Sequence, residues 1–100
     1  MASFQELIQS DTPVLVDFYA DWCGPCKVMK PVLEELKKMM QDEIRIVKVD
    51  VDKNQQAARS LDIQGIPTLI LFRKGDILWR HSGVIQAVPL QQMIRRALGR

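Results

Sequence analysis

Hydrophobic positions along this chain follow two spacings, one typical of strands and one typical of helices. Residues 14–20 are a short, mostly apolar run rich in strand-forming residues, which predicts a strand buried on both faces of a sheet. Directly after it, apolar residues recur at helical spacing with lysines and glutamates between them, namely Val28, Met29, Val32, Leu33, Leu36, Met39 and Met40. A buried strand therefore leads into an amphipathic helix, in which Pro31 predicts a kink.

The same patterns predict a helix and a second strand on either side of this unit. Ser3 and Glu6 have the spacing of a capping box, which predicts a short helix through about Gln9. Residues 11–13, Asp-Thr-Pro, end that helix. Residues 44–51 alternate between polar and β-branched side chains, so we expect a second strand there.

The second half of the chain predicts a helix, a hairpin and a final helix. Asn54 to Leu61 has a helical pattern with Asn54 as its N-cap. Residues 68–73 and 77–81 flank Lys74-Gly75-Asp76, which predicts a β-hairpin. The final amphipathic helix stops at Gly99 and carries Leu90, Met93, Ile94, Ala97 and Leu98.

This order of elements predicts an α/β protein in which a mixed sheet of about four strands has helices on both faces. The 100 residues, of which 47% are hydrophobic, are enough for one domain over residues 1–100 with a real core. A net charge of +2 is too small to indicate nucleic acid or an anionic membrane as a partner. Residues 1–9 lack the basic start and apolar stretch of a signal peptide, so we expect a cytoplasmic, reducing location.

The two cysteines of the chain, Cys23 and Cys26, lie where the first strand passes into its helix. There Cys23 faces the free amides and positive dipole of the helix start, which together with Lys27 favour its thiolate, the reactive form. Cys26 follows after two intervening residues and lies one turn into the helix, where we expect it to be more buried. It can therefore resolve a mixed disulfide at high effective concentration.

Three other roles for the cysteine pair stay open on the residues alone. A structural disulfide closing so short a loop would constrain the unfolded chain little. A zinc site requires about four ligands, and this chain adds only His81, so two chains would have to share it. An inert buried pair is the third, and it fits poorly with the Gly-Pro between the cysteines.

The stretch Trp22-Cys23-Gly24-Pro25-Cys26-Lys27 at a strand-to-helix junction resembles the active site of the thioredoxin family. Residues 14–20, Gly65-Ile66-Pro67-Thr68, Leu71-Phe72, Gly75 and Gly83 follow in the family's order, so the resemblance covers about residues 3–99. It implies a thioredoxin fold, with one departure. Members usually have an additional strand before the first helix, which pairs beside the equivalent of residues 44–50. This chain begins almost directly with the helix, so we expect that strand to be missing. We therefore expect 44–50 to be an exposed sheet edge, where Arg45 and Lys48 discourage strand association.

Asp17 is the second chemical feature, because a carboxylate in the middle of a doubly covered strand has a raised pKa. The resemblance makes it the family's buried acid behind the cysteines, which accepts the proton of Cys26 directly or through water. Lys48, at the matching position of the next strand, is then its charge partner. An exposed carboxylate and a solvated edge lysine are the alternatives that the pattern leaves open.

The resemblance also implies a surface for substrates. Pro67 is expected to be cis and to lie opposite the cysteines, which leaves the backbone of Ile66 free to pair with an extended segment. A flat apolar rim around the Cys23 sulfur is formed by Trp22, Gly24, Pro25, Ile66, Gly83 and Val84. Such a rim suits many flexible protein segments, with few pockets to select among them.

The function implied is that of a protein disulfide reductase that cycles between dithiol and disulfide. It binds no cofactor or metal, acts as a monomer, and receives reducing equivalents from NADPH through a thioredoxin reductase. Its clients are proteins that contain disulfides. Two alternatives are a thiol oxidant or isomerase, and a binding subunit that uses the thioredoxin surface without its thiols.

Overall fold

Four strands form one mixed sheet in the computed structural model, which describes residues 3–100. The strands are β1 (Val14–Tyr19), β2 (Arg45–Asp50), β3 (Thr68–Arg73) and β4 (Asp76–Ser82). Their order is β2-β1-β3-β4; β1 and β2 are parallel, and the other two pairs are antiparallel. The predicted mixed sheet is confirmed, and β2 is an edge strand as expected.

The four predicted helices are also present, as α1 (Phe4–Ile8), α2 (Gly24–Met40), α3 (Gln55–Ser60) and α4 (Ala87–Ala97). The Ser3 hydroxyl caps α1 by accepting a hydrogen bond from the Glu6 amide at 3.2 Å. Asn54 is the N-cap residue of α3, as predicted, but its side chain makes no capping hydrogen bond, and its amide donates to the Asp50 carbonyl at 2.9 Å. A 3₁₀ turn at Gln41–Glu43, which the sequence did not predict, follows α2.

The hairpin between β3 and β4 is closed by two residues in the left-handed region. Arg73 pairs with Asp76, so Lys74 and Gly75 are the turn, with φ of 52° and 83°. The Lys74 and Gly75 amides donate to the carbonyls of Ser10 and Ile8, at 3.0 and 2.9 Å. The turn therefore docks against the end of α1.

Each face of the sheet has its own hydrophobic cluster. The cluster under α2 and α4 includes Leu15, Met29, Leu33, Leu36, Leu69, Leu71, Leu90 and Ile94. The opposite cluster lies against α1 and the segment after α3, and it includes Ile8, Val14, Val16, Phe18, Ile70 and Phe72. Alternate residues of β1 enter the two clusters, so this central strand is buried on both faces.

Candidate active site

The cysteine pair lies at the start of α2, as predicted. Cys23 is the N-cap residue, and its Sγ accepts a hydrogen bond from the Cys26 amide at 3.1 Å. Pro25 occupies the first turn, where its missing N–H removes no helical hydrogen bond. A thiolate at Cys23 would therefore face an amide and the positive end of a helix of 17 residues.

Cys23 and Cys26 are joined by a disulfide, which is the oxidised form of the predicted couple. The expectation that Cys26 is the more buried of the two is wrong, since Cys23 is 4% exposed and Cys26 is 7% exposed. The bond and the N-cap interaction hold Cys23 Sγ against the helix start. Both sulfurs pack in a small cluster with Ala20 and Ile66.

The loop opposite the cysteines has the predicted cis peptide bond between Ile66 and Pro67. The Ile66 carbonyl oxygen lies 3.8 Å from Cys23 Sγ. Within residues 3–100, neither the Ile66 amide nor its carbonyl has a backbone hydrogen-bond partner. Gly83, at φ 99°, donates its amide to the Pro67 carbonyl at 2.8 Å, so β4 ends beside this loop.

Four residues of the predicted apolar rim are exposed at the surface. Trp22 is 71% exposed, which excludes a role as core filler, and its indole N–H donates to Asp52 Oδ2 at 2.8 Å. Gly24 and Pro25 are exposed beside it, and Val84 is exposed directly after Gly83. The rim residues therefore border the disulfide from two sides, and their part in binding stays a prediction.

Asp17 is buried in the middle of β1, as predicted. It is 3% exposed, and its Oδ1 has no hydrogen-bond partner in the part of the chain that the structure describes. Burial raises the pKa of the Asp17 carboxyl to about 6, and the positive charge of Lys48 partly offsets this rise. The exposed-carboxylate alternative is therefore excluded.

A cavity of about 270 Å³ connects the buried acid with Cys26. Its lining includes Asp17, Cys26 and Lys48, together with Tyr19, Ala20, Asp21, Lys27 and Lys30. Lys48 is level with Asp17 in the parallel register but stays exposed, and the two side chains form no ion pair among the described residues. The cavity has room for water between the Asp17 carboxyl and the Cys26 side chain.

The turn that holds Trp22 was missed by the sequence analysis. Asp50 is buried, and its Oδ1 accepts from the amides of Asp52 and Lys53 at 2.9 and 3.4 Å. This arrangement points Asp52 at the Trp22 ring. The signal was present in the sequence, because closely spaced aspartates and an asparagine after a strand are typical of turns in which side chains bond nearby amides.

Metal-ligating residues are not clustered in the described part of the chain. Across residues 3–100, no group of three or more histidine, cysteine, aspartate or glutamate side chains could hold a metal ion.

Comparison with known proteins matches residues 1–96 to the thioredoxin family model. A thioredoxin-like protein of Synechocystis sp. is 45% identical over 95 residues, which are 94% of this chain and 90% of that protein. Thioredoxin 1 of Nostoc sp. is 40% identical, covering 94% and 88%. Thioredoxin Y of rice, named chloroplastic, is 44% identical, but the matched region is 97% of this chain and only 58% of that protein.

A solved structure has the same fold. It is a chain from work on the thiol resolving mechanism of yeast mitochondrial 1-Cys peroxiredoxin via the glutathione and thioredoxin systems. The TM-score is 0.83 at 32% sequence identity, and the match covers 93% of this chain and 86% of that one. The predicted fold is thereby confirmed.

Proposed function

The chain belongs to the thioredoxin family, whose members are protein-disulfide oxidoreductases, and we propose that it is a general protein disulfide reductase. The observation that carries this proposal is the position of the Cys23–Cys26 disulfide. It caps α2, lies opposite a loop with a free backbone, and shares a cavity with a buried carboxylate.

In the first step, the reduced protein uses Cys23 as its nucleophile. The Cys26 amide and the α2 dipole stabilise the Cys23 thiolate, which attacks one sulfur of a client disulfide. The client S–S bond breaks, and a mixed disulfide forms between Cys23 and the client. The released client thiolate takes a proton from solvent.

In the second step, Cys26 resolves the mixed disulfide. Its thiol gives a proton to the Asp17 carboxylate, directly or through water in the shared cavity. The Cys26 thiolate then attacks Cys23 Sγ, which releases the second client thiolate and forms the Cys23–Cys26 disulfide. Two electrons pass from the protein to the client. Lys48 assists because its charge lowers the Asp17 pKa and keeps more of that carboxyl ionised.

The client lies across the rim in an extended conformation. The free backbone of Ile66 pairs with it, and cis Pro67, Gly83 and Val84 border it on one side. The other side is bordered by Trp22, Gly24 and Pro25, which lie next to Cys23 in the chain. Backbone pairing with few side-chain pockets fits a broad range of clients.

The wider setting follows from the same proposal. The protein acts as one domain and as a monomer, binds no cofactor, and is recharged from NADPH by a thioredoxin reductase. Its clients are disulfide-containing proteins, not nucleic acids or membranes, and it works in the reducing cytoplasm. No helix within residues 3–100 is both long and apolar enough to span a membrane.

Trapping of the mixed disulfide tests the proposed roles of the two cysteines. The Cys26→Ser variant, mixed with a disulfide-bonded client such as insulin, is expected to accumulate a covalent adduct that dithiothreitol releases. The matched Cys23→Ser variant keeps one thiol but loses the nucleophile, so no comparable adduct is expected. Mass spectrometry measures both. Equal adducts in the two variants, or no reduction of insulin by the unmodified protein, would contradict the proposal.

A further inference from the structure

A second depression lies beside the active-site cavity, between helix α2 and the edge strand β2. It has a volume of about 240 Å³ and is lined by Lys30, Leu33, Glu34, Lys37, Ile46 and Lys48. We call it the basic groove. Leu33 is buried and Ile46 is half-buried, while the charged residues are exposed. The groove therefore combines an apolar floor with charged walls.

The charge of the groove is positive. It has three lysines and one glutamate, which give the groove a net charge of +2, as large as the net charge of the whole chain. The Lys37 ammonium is held by the carbonyls of Gln41 and Ile44, at 2.7 and 3.0 Å. Lys30 and Lys48 form no ion pair with any residue from 3 to 100. Their charges are thus available to a partner.

The groove is continuous with the active-site cavity. Lys30 and Lys48 line both, and the cavity also contains Cys26. Lys27, Lys30, Glu34 and Lys37 follow at helical spacing, so a stripe of charge runs along α2 away from the cysteines. A client segment that passes from the disulfide over the Cys26 side can therefore extend into the groove.

We propose that the basic groove binds an acidic, extended segment that flanks the disulfide of a client. The inference rests on the proposed reductase function. Carboxylates of the segment pair with Lys30 and Lys48, and apolar side chains at alternate positions contact Leu33 and Ile46. Such a site speeds encounter with acidic clients, and salt weakens the effect. Acidic flanking sequence thereby selects among clients that the flat rim alone does not distinguish.

Two synthetic peptides test this selection. Both contain the same internal disulfide; one has a flank of alternating Glu and Leu, and the other has Gln in place of Glu. The kcat/KM for reduction is expected to be about 3- to 10-fold higher for the Glu peptide at low salt. The two values are expected to converge at high salt. Equal values at low salt would overturn the proposal.

Three charge variants locate the effect. Lys30→Gln is expected to lower the Glu-over-Gln ratio at least twofold, and the ratio cancels any change in rate that is common to both peptides. Glu34→Gln removes the one groove carboxylate and is expected to raise the ratio. Lys38→Gln is the matched control, because this exposed lysine lies on α2 outside the groove. A fall with Lys38→Gln as large as that with Lys30→Gln would mean a general charge effect and contradict the proposal.

A binding experiment separates this proposal from the reductase function. A Glu peptide with both cysteines replaced by serine is titrated into the protein, and NMR shifts locate its site. Shifts at Lys30, Leu33 and Ile46 that are absent with the Gln peptide support the groove, even if no peptide is reduced. Reduction of both peptides at equal rates without such shifts rejects the groove and leaves the function intact. Tighter binding of a single-stranded oligonucleotide there would also reject it.

Discussion

Asp17 is 3% exposed in the middle of β1, and burial raises the pKa of its carboxyl to about 6. In an unfolded chain the pKa of this carboxyl is near 3.8. The folded state therefore binds the proton more tightly, and ionisation of Asp17 opposes folding. Above pH 6 this pKa shift lowers the free energy of unfolding by about 3 kcal/mol. The loss disappears as the pH falls below about 4, where the carboxyl is protonated in both states.

Replacement of Asp17 by asparagine removes that cost. Asp17→Asn is expected to raise the free energy of unfolding at pH 7.5 by about 1–3 kcal/mol. The gain should shrink between pH 6 and pH 4, because the native acid is then protonated as well. Urea denaturation at several pH values measures it. Asp11→Asn, at an exposed position, is the control and is expected to change little.

The same variant tests the catalytic use of the carboxylate. Resolution of the mixed disulfide should be slower in Asp17→Asn, because Cys26 loses its proton acceptor. In the unmodified protein the rate should fall as the pH drops through about 6, where Asp17 becomes protonated. Single-turnover kinetics measure this step. Identical rates for both proteins across this pH range would remove Asp17 from the mechanism.

At the level of residues, the sequence predicted those features that depend on the chain's own pattern. Asp17 was placed correctly because the apolar run around it requires a strand buried on both faces. The prediction that Cys26 is more buried than Cys23 was wrong. The Ile66 loop, 43 positions away in the chain, packs against Cys23, and local hydrophobic spacing does not reveal such a contact. The Trp22–Asp52 hydrogen bond joins residues 30 positions apart, and no periodicity indicates such a pair.

Among the elements, the hairpin turn depends on one glycine. Gly75 has a φ of 83°, and a Cβ there would lie 2.6 Å from the Gln9 side-chain nitrogen. Gly75→Ala is expected to lower stability by about 1–2 kcal/mol, chiefly through backbone strain, since the Gln9 side chain can move. Gly65→Ala is the matched control, because its Cβ meets nothing within 4 Å. Thermal unfolding compares them, and equal losses would contradict this account.

The edge strand β2 makes a prediction about amide exchange. Arg45 and Val51 donate their amides to the carbonyls of Pro13 and Tyr19 on the β1 side. In a parallel ladder alternate residues face the same neighbour, so the Val47 and Val49 amides point inward, whereas those of Ile46 and Lys48 point outward. Ile46 and Lys48 should therefore exchange much faster in a monomer. Equal, strong protection of all four amides would show that β2 is covered.

The positions of the helices and strands were predicted more accurately than the local structure at their ends. Hydrophobic spacing determines which face of an element is buried, and this was enough to locate all four strands and four helices. Around the 3₁₀ turn at Gln41–Glu43, the Lys37 ammonium donates to two carbonyls beyond the end of α2. The Asn54 side chain bonds the carbonyl of Asp50 and not its own helix. Both outcomes depend on neighbouring turns, which spacing alone does not specify.

For the whole molecule, the two hydrophobic clusters pack β1 between α1 on one face and α2 on the other. The cysteines follow the end of this strand, so the disulfide lies between the Ile66 loop and the Asp17 cavity. The reacting groups come from separate parts of the chain. Their arrangement is therefore a property of the complete fold.

The reduction potential of the Cys23–Cys26 couple tests the central claim most directly. The protein is equilibrated with dithiol buffers of defined potential, and a mass-shift reagent counts the free thiols. A disulfide reductase should give one reversible two-electron transition at a potential more reducing than that of the glutathione couple. A clearly more oxidising potential would indicate an oxidant or isomerase, and the absence of a reversible transition would indicate a binding subunit; either result would contradict the account.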